Sequence, residues 1–284
     1  MLGFVAGAVL VAYLSLCLML RAWQNRFIFF PTATITQTPS DFGARYEEVR
    51  LSLPDDAPGQ LYGWWLPATA PARGTILYCH GNGSNISGNL GAALRFVSLG
   101  FNVFLFDYRG YGLSTSGFPT EAQVYEDAGA ALDYLLQTRQ IAPQTIILYG
   151  HSLGGAVAIE LAARHPQLGG LIVEASFTSM QEMVAFQRIY ALFPVSLLLS
   201  QRFDSIHKLR PLSIPILLIH GTSDRTVPYT MSQALFEVAP EPKKLLLVPD
   251  AGHNNVAEVA PQQYLQAIDE FAQHLQSEQQ SLSR

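Results

Sequence analysis

Apolar positions divide the chain into one long uncharged stretch and a region in which short apolar runs alternate with helix-like segments. Residues 2–20 carry no charged side chain. Eight later runs predict β-strands, at 49–53, 61–66, 75–79, 103–106, 145–149, 170–173, 216–219 and 244–248. The segments between them predict helices, among them 92–98, 121–138, 155–164 and 262–276.

The first two predicted strands differ from the six that follow. Residues 49–53 alternate apolar and polar side chains, and the turn-forming residues 55–59 lead into the strand at 61–66, which predicts a hairpin. The six later runs are almost wholly apolar, as expected for strands that are covered on both faces. Because they alternate with helices, the pattern predicts an α/β domain with a parallel sheet between two helical layers.

The uncharged stretch has the length and composition of a membrane anchor. At 1.5 Å per residue, 2–20 spans about 28 Å, and its ten Leu, Val and Phe residues contribute about −3 to −6 kcal/mol to insertion. No basic residue precedes Arg21 and no small-x-small site ends the run, so an uncleaved anchor at 1–22 is favoured over the alternative, a cleaved signal peptide. Arg21 and Arg26 then predict that the remainder lies on the cytoplasmic side.

The rest of the chain divides into three parts. Residues 23–46 predict a surface linker, 47–276 the main domain, and 277–284 a polar tail. Within the domain, 178–212 contains no clean strand and is too long for an ordinary connection. We interpret it as a small apolar cap over the carboxyl edge of the sheet; two ordinary covering helices are the alternative.

The composition of the chain speaks against several classes of function. Hydrophobic residues make up 49% of the chain and charged residues 14%, the net charge is −5, and no run of Lys or Arg occurs. These values speak against a nucleic-acid partner. Two cysteines, Cys17 and Cys79, cannot build a disulfide framework. No His, Cys or Asp spacing is typical of a metal site, so we expect no metal and no cofactor.

The motif Gly-His-Ser-Leu-Gly at 150–154 follows a predicted strand and opens a predicted helix. In this context the glycines permit a strained turn that exposes the hydroxyl of Ser152 as a nucleophile. A phosphate-binding turn is the alternative, but it requires further glycines or a Gly-Lys-Ser/Thr ending that this segment lacks.

A serine nucleophile requires a base and an orienting carboxylate. Asp224 follows the strand at 216–219 and His253 follows the strand at 244–248, so both lie at the same edge of the sheet as Ser152. The sequence therefore predicts a triad of Ser152, Asp224 and His253. Glu174, at the end of another strand, is the rival acid. Asp250 is only three residues from His253, which is too close to orient it.

With these motifs the chain resembles serine hydrolases of the α/β-hydrolase family, in particular a membrane-anchored branch that includes acylglycerol lipases and protein depalmitoylases. The resemblance covers 47–276 and includes His-Gly-Asn-Gly at 80–83 and Asp-Tyr-Arg-Gly-Tyr-Gly at 107–112. It implies the α/β-hydrolase fold with a mostly parallel eight-stranded sheet. It also implies an oxyanion hole made by the backbone N–H groups of Asn82 and Leu153.

Two further motif residues, Asp107 and Arg109, predict an ion pair that holds their turn, while His80 is expected to brace its loop and His151 to pack beside the nucleophile. The resemblance implies hydrolysis of a carboxylic ester or thioester through an acyl-enzyme, with an acyl ester or lipid-like substrate. A serine peptidase of the same fold and a catalytically silent, membrane-tethered interaction module remain as alternatives. The sequence predicts no oligomeric state.

Overall fold

All eight predicted strands are present in the computed structural model, which describes residues 2–53, 58–69, 71–115 and 117–282. The strands are β1 (Phe30–Pro31), β2 (Glu47–Ser52), β3 (Gln60–Leu66), β4 (Thr75–Cys79), β5 (Gly83–Ser84), β6 (Asn102–Asp107), β7 (Ile146–His151), β8 (Gly170–Glu174), β9 (Ile216–Gly221) and β10 (Lys243–Val248). The helices are α1 (Leu2–Ile28), α2 (Ile86–Ser98), α3 (Glu121–Asp133), α4 (Leu153–Arg164), α5 (Met180–Phe186), α6 (Val195–Leu198), α7 (Ser205–Leu209), α8 (Tyr229–Val238), α9 (Val256–Val259) and α10 (Pro261–Leu282).

The main sheet has eight strands in the order β10-β9-β8-β7-β4-β6-β3-β2. Strand β3 runs antiparallel to both of its neighbours, and the other pairings are parallel. The prediction of a mostly parallel eight-stranded sheet is therefore confirmed. The predicted hairpin is the β2–β3 pair, in which Val49 faces Gly63. Residues 54–57 of its turn lie outside the described residues.

Side chains of the central strands are buried on both faces of the sheet. In β4, Leu77 belongs to one hydrophobic cluster with side chains of α3 and α4, whereas Ile76 and Tyr78 belong to another cluster with side chains of α2 and α10. All five residues of β4 are buried. Because successive side chains of a strand point to opposite faces, burial on both faces explains why these strands appear as continuous apolar runs.

Two helices extend beyond their predicted bounds. Helix α2 begins at Ile86 because Asn85 caps it: the Asn85 side chain accepts a hydrogen bond from the Ser87 N–H at 2.9 Å. Helix α10 continues to Leu282, past the predicted domain end at 276, so most of the predicted polar tail is helical. Residues 283–284 of that tail lie outside the described residues.

The predicted linker is shorter and more firmly held than the sequence indicated. Its first residues belong to α1, which ends at Ile28, and β1 then pairs in parallel with β5. The Asn85 amide donates hydrogen bonds to the carbonyl oxygens of Thr32 at 3.0 Å and Thr34 at 2.8 Å. Since the backbone is bonded to the domain, the segment fixes where α1 leaves it.

The predicted cap segment, 178–212, divides into two parts. Helices α5 and α6 and the residues between them lie over the carboxyl edge of the sheet, and we call residues 177–199 the cap. The chain then returns to the body, where the Phe203 N–H donates to the Glu121 carboxylate at 2.9 Å. Helix α7 packs against α4, so it belongs to the covering layer rather than to the cap.

Candidate active site

Ser152 lies in a tight turn between β7 and α4. Its backbone adopts φ +55° and ψ −119°, a conformation that costs on the order of 1–3 kcal/mol and needs support from its surroundings. The Ser176 hydroxyl donates to the Ser152 carbonyl at 2.8 Å, which supplies part of that support. A Cβ at Gly150 would lie 2.2 Å from the Gly154 carbonyl oxygen, so the turn excludes a side chain there.

The structure brings Ser152, His253 and Asp224 together. The His253 Nε2 atom lies 3.1 Å from the Ser152 hydroxyl oxygen, and the His253 Nδ1 atom lies 2.6 Å from Asp224 Oδ2. Both are hydrogen-bond distances. The three residues follow β7, β10 and β9, so parallel strands place them at one edge of the sheet.

Asp224 has hydrogen-bond partners besides His253, and they fix its carboxylate. Its Oδ1 accepts the backbone N–H groups of Thr226 and Val227 at 2.7 and 2.9 Å, and its Oδ2 lies 3.1 Å from His220 Nε2. Burial alone would raise the pKa of Asp224, but hydrogen bonds from His220 and His253 and the Val227 N–H hold it well below its ordinary value. The carboxylate is therefore ionised at neutral pH and can orient an imidazole.

Glu174, the rival acid, makes different contacts. Its Oε2 accepts hydrogen bonds from the hydroxyls of Tyr149 and Tyr264, both at 2.8 Å. Burial and the nearby Glu174 charge raise the pKa of both phenols well above the ordinary value, so both remain donors. Tyr149 and Tyr264 belong to the cluster that α10 covers. The geometry therefore favours Asp224 over Glu174 as the partner of His253.

Asn82 and Leu153 both border the cavity that contains Ser152. In the part of the chain that the structure describes, neither backbone N–H has a protein acceptor. The Asn82 side chain donates to the Ile28 carbonyl at 2.7 Å, and the Asn82 carbonyl accepts the Tyr111 hydroxyl at 2.8 Å. These bonds hold the 80–83 loop against the end of α1, and a Cβ at Gly81 would lie 3.4 Å from the Ser152 Cβ, so the loop passes beside the nucleophile.

An apolar cavity of about 400 Å³ opens above Ser152. Its walls come from α1, the cap and the loop after β9, and none of the described residues that line it is charged. The lining residues are Leu20, Gln24, Phe27, Ile28, Phe30, Asn82, Ser152, Leu153, Phe177, Met180, Met183, Val184, Gln187, Ile189, Tyr190, Phe193, Val195, Leu198, Leu199, Thr226 and Val227. Such a volume and lining suit an apolar chain.

Comparisons with known proteins agree with this fold. The family model for serine aminopeptidase, S33, matches residues 70–210. The uncharacterized protein Rv2307c of Mycobacterium tuberculosis is 34% identical over 265 residues, which cover 92% of each chain. The esterase Pf2001 of Pyrococcus furiosus superposes with a TM-score of 0.72 at 22% identity, covering 87% of this chain and 98% of that one. The chain belongs to the α/β-hydrolase family.

The fold of this hydrolase also occurs in the solved structure of a peptidase. A puromycin-hydrolyzing peptidase of Mycobacterium tuberculosis superposes with a TM-score of 0.67 at 18% identity, covering 82% of this chain and 39% of that one. Its sequence identity to this chain is too low to indicate a shared substrate. It shows that the hydrolase shares its architecture with enzymes of different named activities.

Two histidines of the hydrolase contribute in ways that the sequence did not predict. His151, expected only to pack, places its Nε2 3.0 Å from the carbonyl oxygen of His253. Burial lowers the pKa of His151, so the neutral ring donates this bond. His220 holds Asp224, and its own Nδ1 lies 2.6 Å from the Ser232 hydroxyl. Both histidines follow predicted strands, at 145–149 and 216–219, and precede predicted site residues, which is the signal that could have found them.

The predicted ion pair between Asp107 and Arg109 is wrong. Arg109 binds Asp127 instead, with Nη2 to Oδ1 at 2.6 Å and the backbone N–H to Oδ2 at 2.8 Å. Asp107 accepts the Ile86 N–H at 2.9 Å and lies 3.4 Å from His80 Nε2. The buried Asp127 carboxylate on α3 lies within hydrogen-bond distance of the Arg109 guanidinium, whereas Asp107 is bonded to the first residue of α2. The His80 Nδ1 atom lies 2.7 Å from the Gly81 carbonyl oxygen, so the ring is bonded within its own loop.

No site in the described residues is suited to a metal. Within those residues no group of three or more His, Cys, Asp or Glu side chains could hold an ion. Cys79 is fully buried in β4, and burial raises the pKa of its thiol to about 12.

Proposed function

We propose that the hydrolase cleaves carboxylic esters or thioesters of apolar acyl chains at the surface of a membrane. The observation that carries this proposal is a hydrogen-bonded series, Asp224 to His253 to Ser152, that ends in an uncharged cavity of about 400 Å³. A nucleophile at the base of an apolar cavity favours an acyl group as the part of the substrate that enters it.

In this proposal His253 Nε2 takes the proton from Ser152 as the hydroxyl oxygen attacks the substrate carbonyl. Asp224 accepts the hydrogen bond from the Nδ1–H group of His253 throughout. This bond fixes the tautomer of the imidazole and stabilises the imidazolium. The tetrahedral intermediate collapses when His253 returns the proton to the leaving alcohol or thiol, which leaves an acyl-serine. Water, deprotonated by the same histidine, then attacks the acyl-serine and releases the acid.

The oxyanion is held by the N–H groups of Asn82 and Leu153. Leu153 is the first residue of α4, so the positive end of the helix dipole also faces the developing charge. One such preorganised donor contributes about 3–4 kcal/mol to transition-state stabilisation. Neither group has a protein acceptor among the described residues, which supports their availability to a substrate oxygen.

We further propose that α1 remains attached as a single-pass anchor. The most apolar 18-residue window of Gly3–Ile28 has a mean hydropathy of 2.3, and only 6% of that window is buried, so α1 is not a core helix. A signal sequence would have the same composition, but Leu20, Gln24 and Phe27 of α1 border the cavity, which favours retention. Protease protection of the domain in sealed vesicles, with the N-terminus of the mature protein sequenced, tests both retention and the cytoplasmic orientation.

A serine peptidase is the second candidate, because the matching family model describes an aminopeptidase. An aminopeptidase needs a carboxylate to bind the substrate ammonium group, and none of the described cavity residues is acidic. We expect acyl esters to be cleaved with a kcat/KM at least about tenfold above that of size-matched amino-acid anilides. The reverse order would favour the peptidase.

Labelling with a fluorophosphonate tests whether Ser152 is a nucleophile at all. We expect the wild-type protein to be labelled and the Ser152→Ala variant to remain unlabelled, with both equally folded by circular dichroism. Absence of labelling in both would favour the silent interaction module. A series of chromogenic esters of increasing acyl length should then show rising kcat/KM as the cavity fills. The closer assignment to the branch of acylglycerol lipases and protein depalmitoylases stays a prediction.

A further inference from the structure

Four large apolar side chains of the cap are exposed to solvent in the part of the chain that the structure describes. Phe186, Ile189, Leu192 and Leu197 are 49%, 77%, 82% and 73% exposed, and we call these four residues the crown. Residues 189–201 carry no charged side chain. An exposed apolar group of this kind is typical of a surface that contacts a protein or a membrane.

The cap lies alongside α1 and is bonded to it at two levels. The Tyr13 hydroxyl donates to the Leu192 carbonyl at 2.9 Å, and Arg21 Nη1 donates to the Leu197 carbonyl at 3.0 Å. The rings of Tyr13 and Phe193 stack with centroids 5.9 Å apart. Leu192 is therefore level with Tyr13 along the helix, and Leu197 is level with Arg21.

These contacts fix the depth of the crown relative to the membrane. Arg21 is the first charged residue after the uncharged stretch, and the exposed Trp23 and Phe27 follow it, as expected at the membrane interface. Tyr13 lies eight residues towards the N-terminus, which corresponds to about 12 Å along the helix axis. One leaflet contributes about 15 Å of hydrocarbon, so Leu192, which is level with Tyr13, cannot remain in water when α1 spans the bilayer.

We propose that the crown is immersed in the leaflet that α1 crosses, with phospholipid acyl chains as its partner. The cap is then a second membrane contact, and the cavity between α1 and the cap, whose α1 wall begins at Leu20, opens at the edge of the hydrocarbon layer. An acyl chain would reach Ser152 directly from the bilayer without crossing water. This inference rests on the anchoring in the proposed function, but it does not rest on the reaction.

Depth-dependent quenching tests the immersion without catalysis. The full chain with Ser152→Ala and Cys17→Ala is reconstituted in phosphatidylcholine vesicles, and an environment-sensitive fluorophore is attached to Leu192→Cys, Leu197→Cys or Val259→Cys. Cys79 is fully buried and out of reach of the label. Nitroxides are placed on the lipid either near the headgroup or midway along the acyl chain.

We expect the fluorophore at position 192 to be quenched best by the mid-chain nitroxide and that at 197 by the shallow one. Position 259 is exposed on α9, at 43%, and serves as the matched control that neither nitroxide quenches. Quenching at 192 that is no stronger than at 259 overturns the proposal. Shielding of 192 from lipid together with cross-linking between two copies also overturns it, because the partner is then a second chain.

A pair of substitutions tests the consequence for substrate access. Leu192 and Leu197 do not line the cavity, so Leu192→Asp with Leu197→Asp should leave hydrolysis of a water-soluble butyrate ester within about twofold of wild type. Hydrolysis of a long-chain ester in vesicles should fall at least about tenfold, because aspartate resists entry into hydrocarbon. Phe42→Asp with Val259→Asp is the control, with equal charge at exposed apolar sites away from the cap. Equal activity of both double variants on vesicles contradicts the proposal.

Different results would refute the membrane contact of the crown and the proposed reaction. A fluorophore at Val9→Cys reports whether α1 enters the bilayer; lack of quenching there overturns the anchor and the immersed crown together. Quenching at 9 and 192 without any Ser152-dependent ester hydrolysis leaves the crown in place and overturns the proposed reaction instead.

Discussion

Gly154 lies where α4 passes closest to the loop after β4, and its replacement provides a sharp test of the site. A Cβ at this position would lie 2.0 Å from the Cys79 carbonyl oxygen and 2.5 Å from that of His80. Real Cβ contacts below 3.0 Å essentially do not occur, so Gly154→Ala requires a displacement of at least 1.0 Å (3.0 − 2.0). Both neighbours are backbone atoms, which cannot move aside as a flexible side chain would.

The displacement separates two parts of the proposed oxyanion hole. Leu153 adjoins Gly154 on α4, whereas Asn82 follows His80 in the opposing loop, so their N–H groups must move apart. Misplacement of catalytic groups by about 1 Å can lower the rate about 100-fold. We also expect the free energy of unfolding to fall by about 1–3 kcal/mol, as in other overpacked cores.

The assay combines kcat/KM on a water-soluble chromogenic ester with denaturant unfolding in detergent, followed by tryptophan fluorescence. Gly129→Ala is the matched control, because Gly129 lies within α3 and a Cβ there meets nothing within 4 Å. We expect that variant to retain full activity and to gain about 1 kcal/mol from the better helix propensity of alanine. If Gly154→Ala retains activity within about threefold of wild type and an unchanged free energy of unfolding, then Gly154 does not lie this close to the Cys79 and His80 carbonyls.

Other predictions address the acid, its titration, the second histidine and the buried thiol. Asp224→Asn should lower kcat by about 10⁴ in steady-state assays, whereas Glu174→Gln should stay within about threefold of wild type; the opposite result would transfer the acid role to Glu174. Because folding lowers the pKa of Asp224 below its unfolded value of about 3.9, its ionisation stabilises the fold above that pH. The stability difference between wild type and Asp224→Asn should therefore shrink as pH falls below about 4, and a constant difference in denaturant titrations would contradict this. His151→Phe should lower kcat about fivefold to tenfold with unchanged KM, because it removes the donor to the His253 carbonyl. His151→Gln retains a donor and should restore kcat. An equal loss of kcat in both variants would show that His151 contributes only packing. Cys79, with its pKa raised to about 12, should react with maleimide only after unfolding, as mass spectrometry would record.

Much of the fold was predictable because burial on both faces leaves a local signature. Strands such as β4 and β7 are continuous apolar runs, and each can be located without knowing its neighbours. The order of strands in the sheet has no such signature. Neither does the choice between Asp224 and Glu174, because both follow strands whose two faces are equally apolar. Only the face to which each carboxylate points decides it, and Glu174 points to the hydroxyls of Tyr149 and Tyr264.

The sequence by itself determined the α/β layering, the uncharged N-terminal stretch and the positions of Ser152, Asp224 and His253 at strand ends. Each of these depends on residue types within a few positions, where side-chain periodicity is set by local backbone geometry. Only the tertiary structure decided that α1 walls the cavity, that Tyr13 meets Leu192 and that Arg109 binds Asp127. Contacts between distant segments depend on how completed elements pack, and no local pattern in either segment specifies its partner.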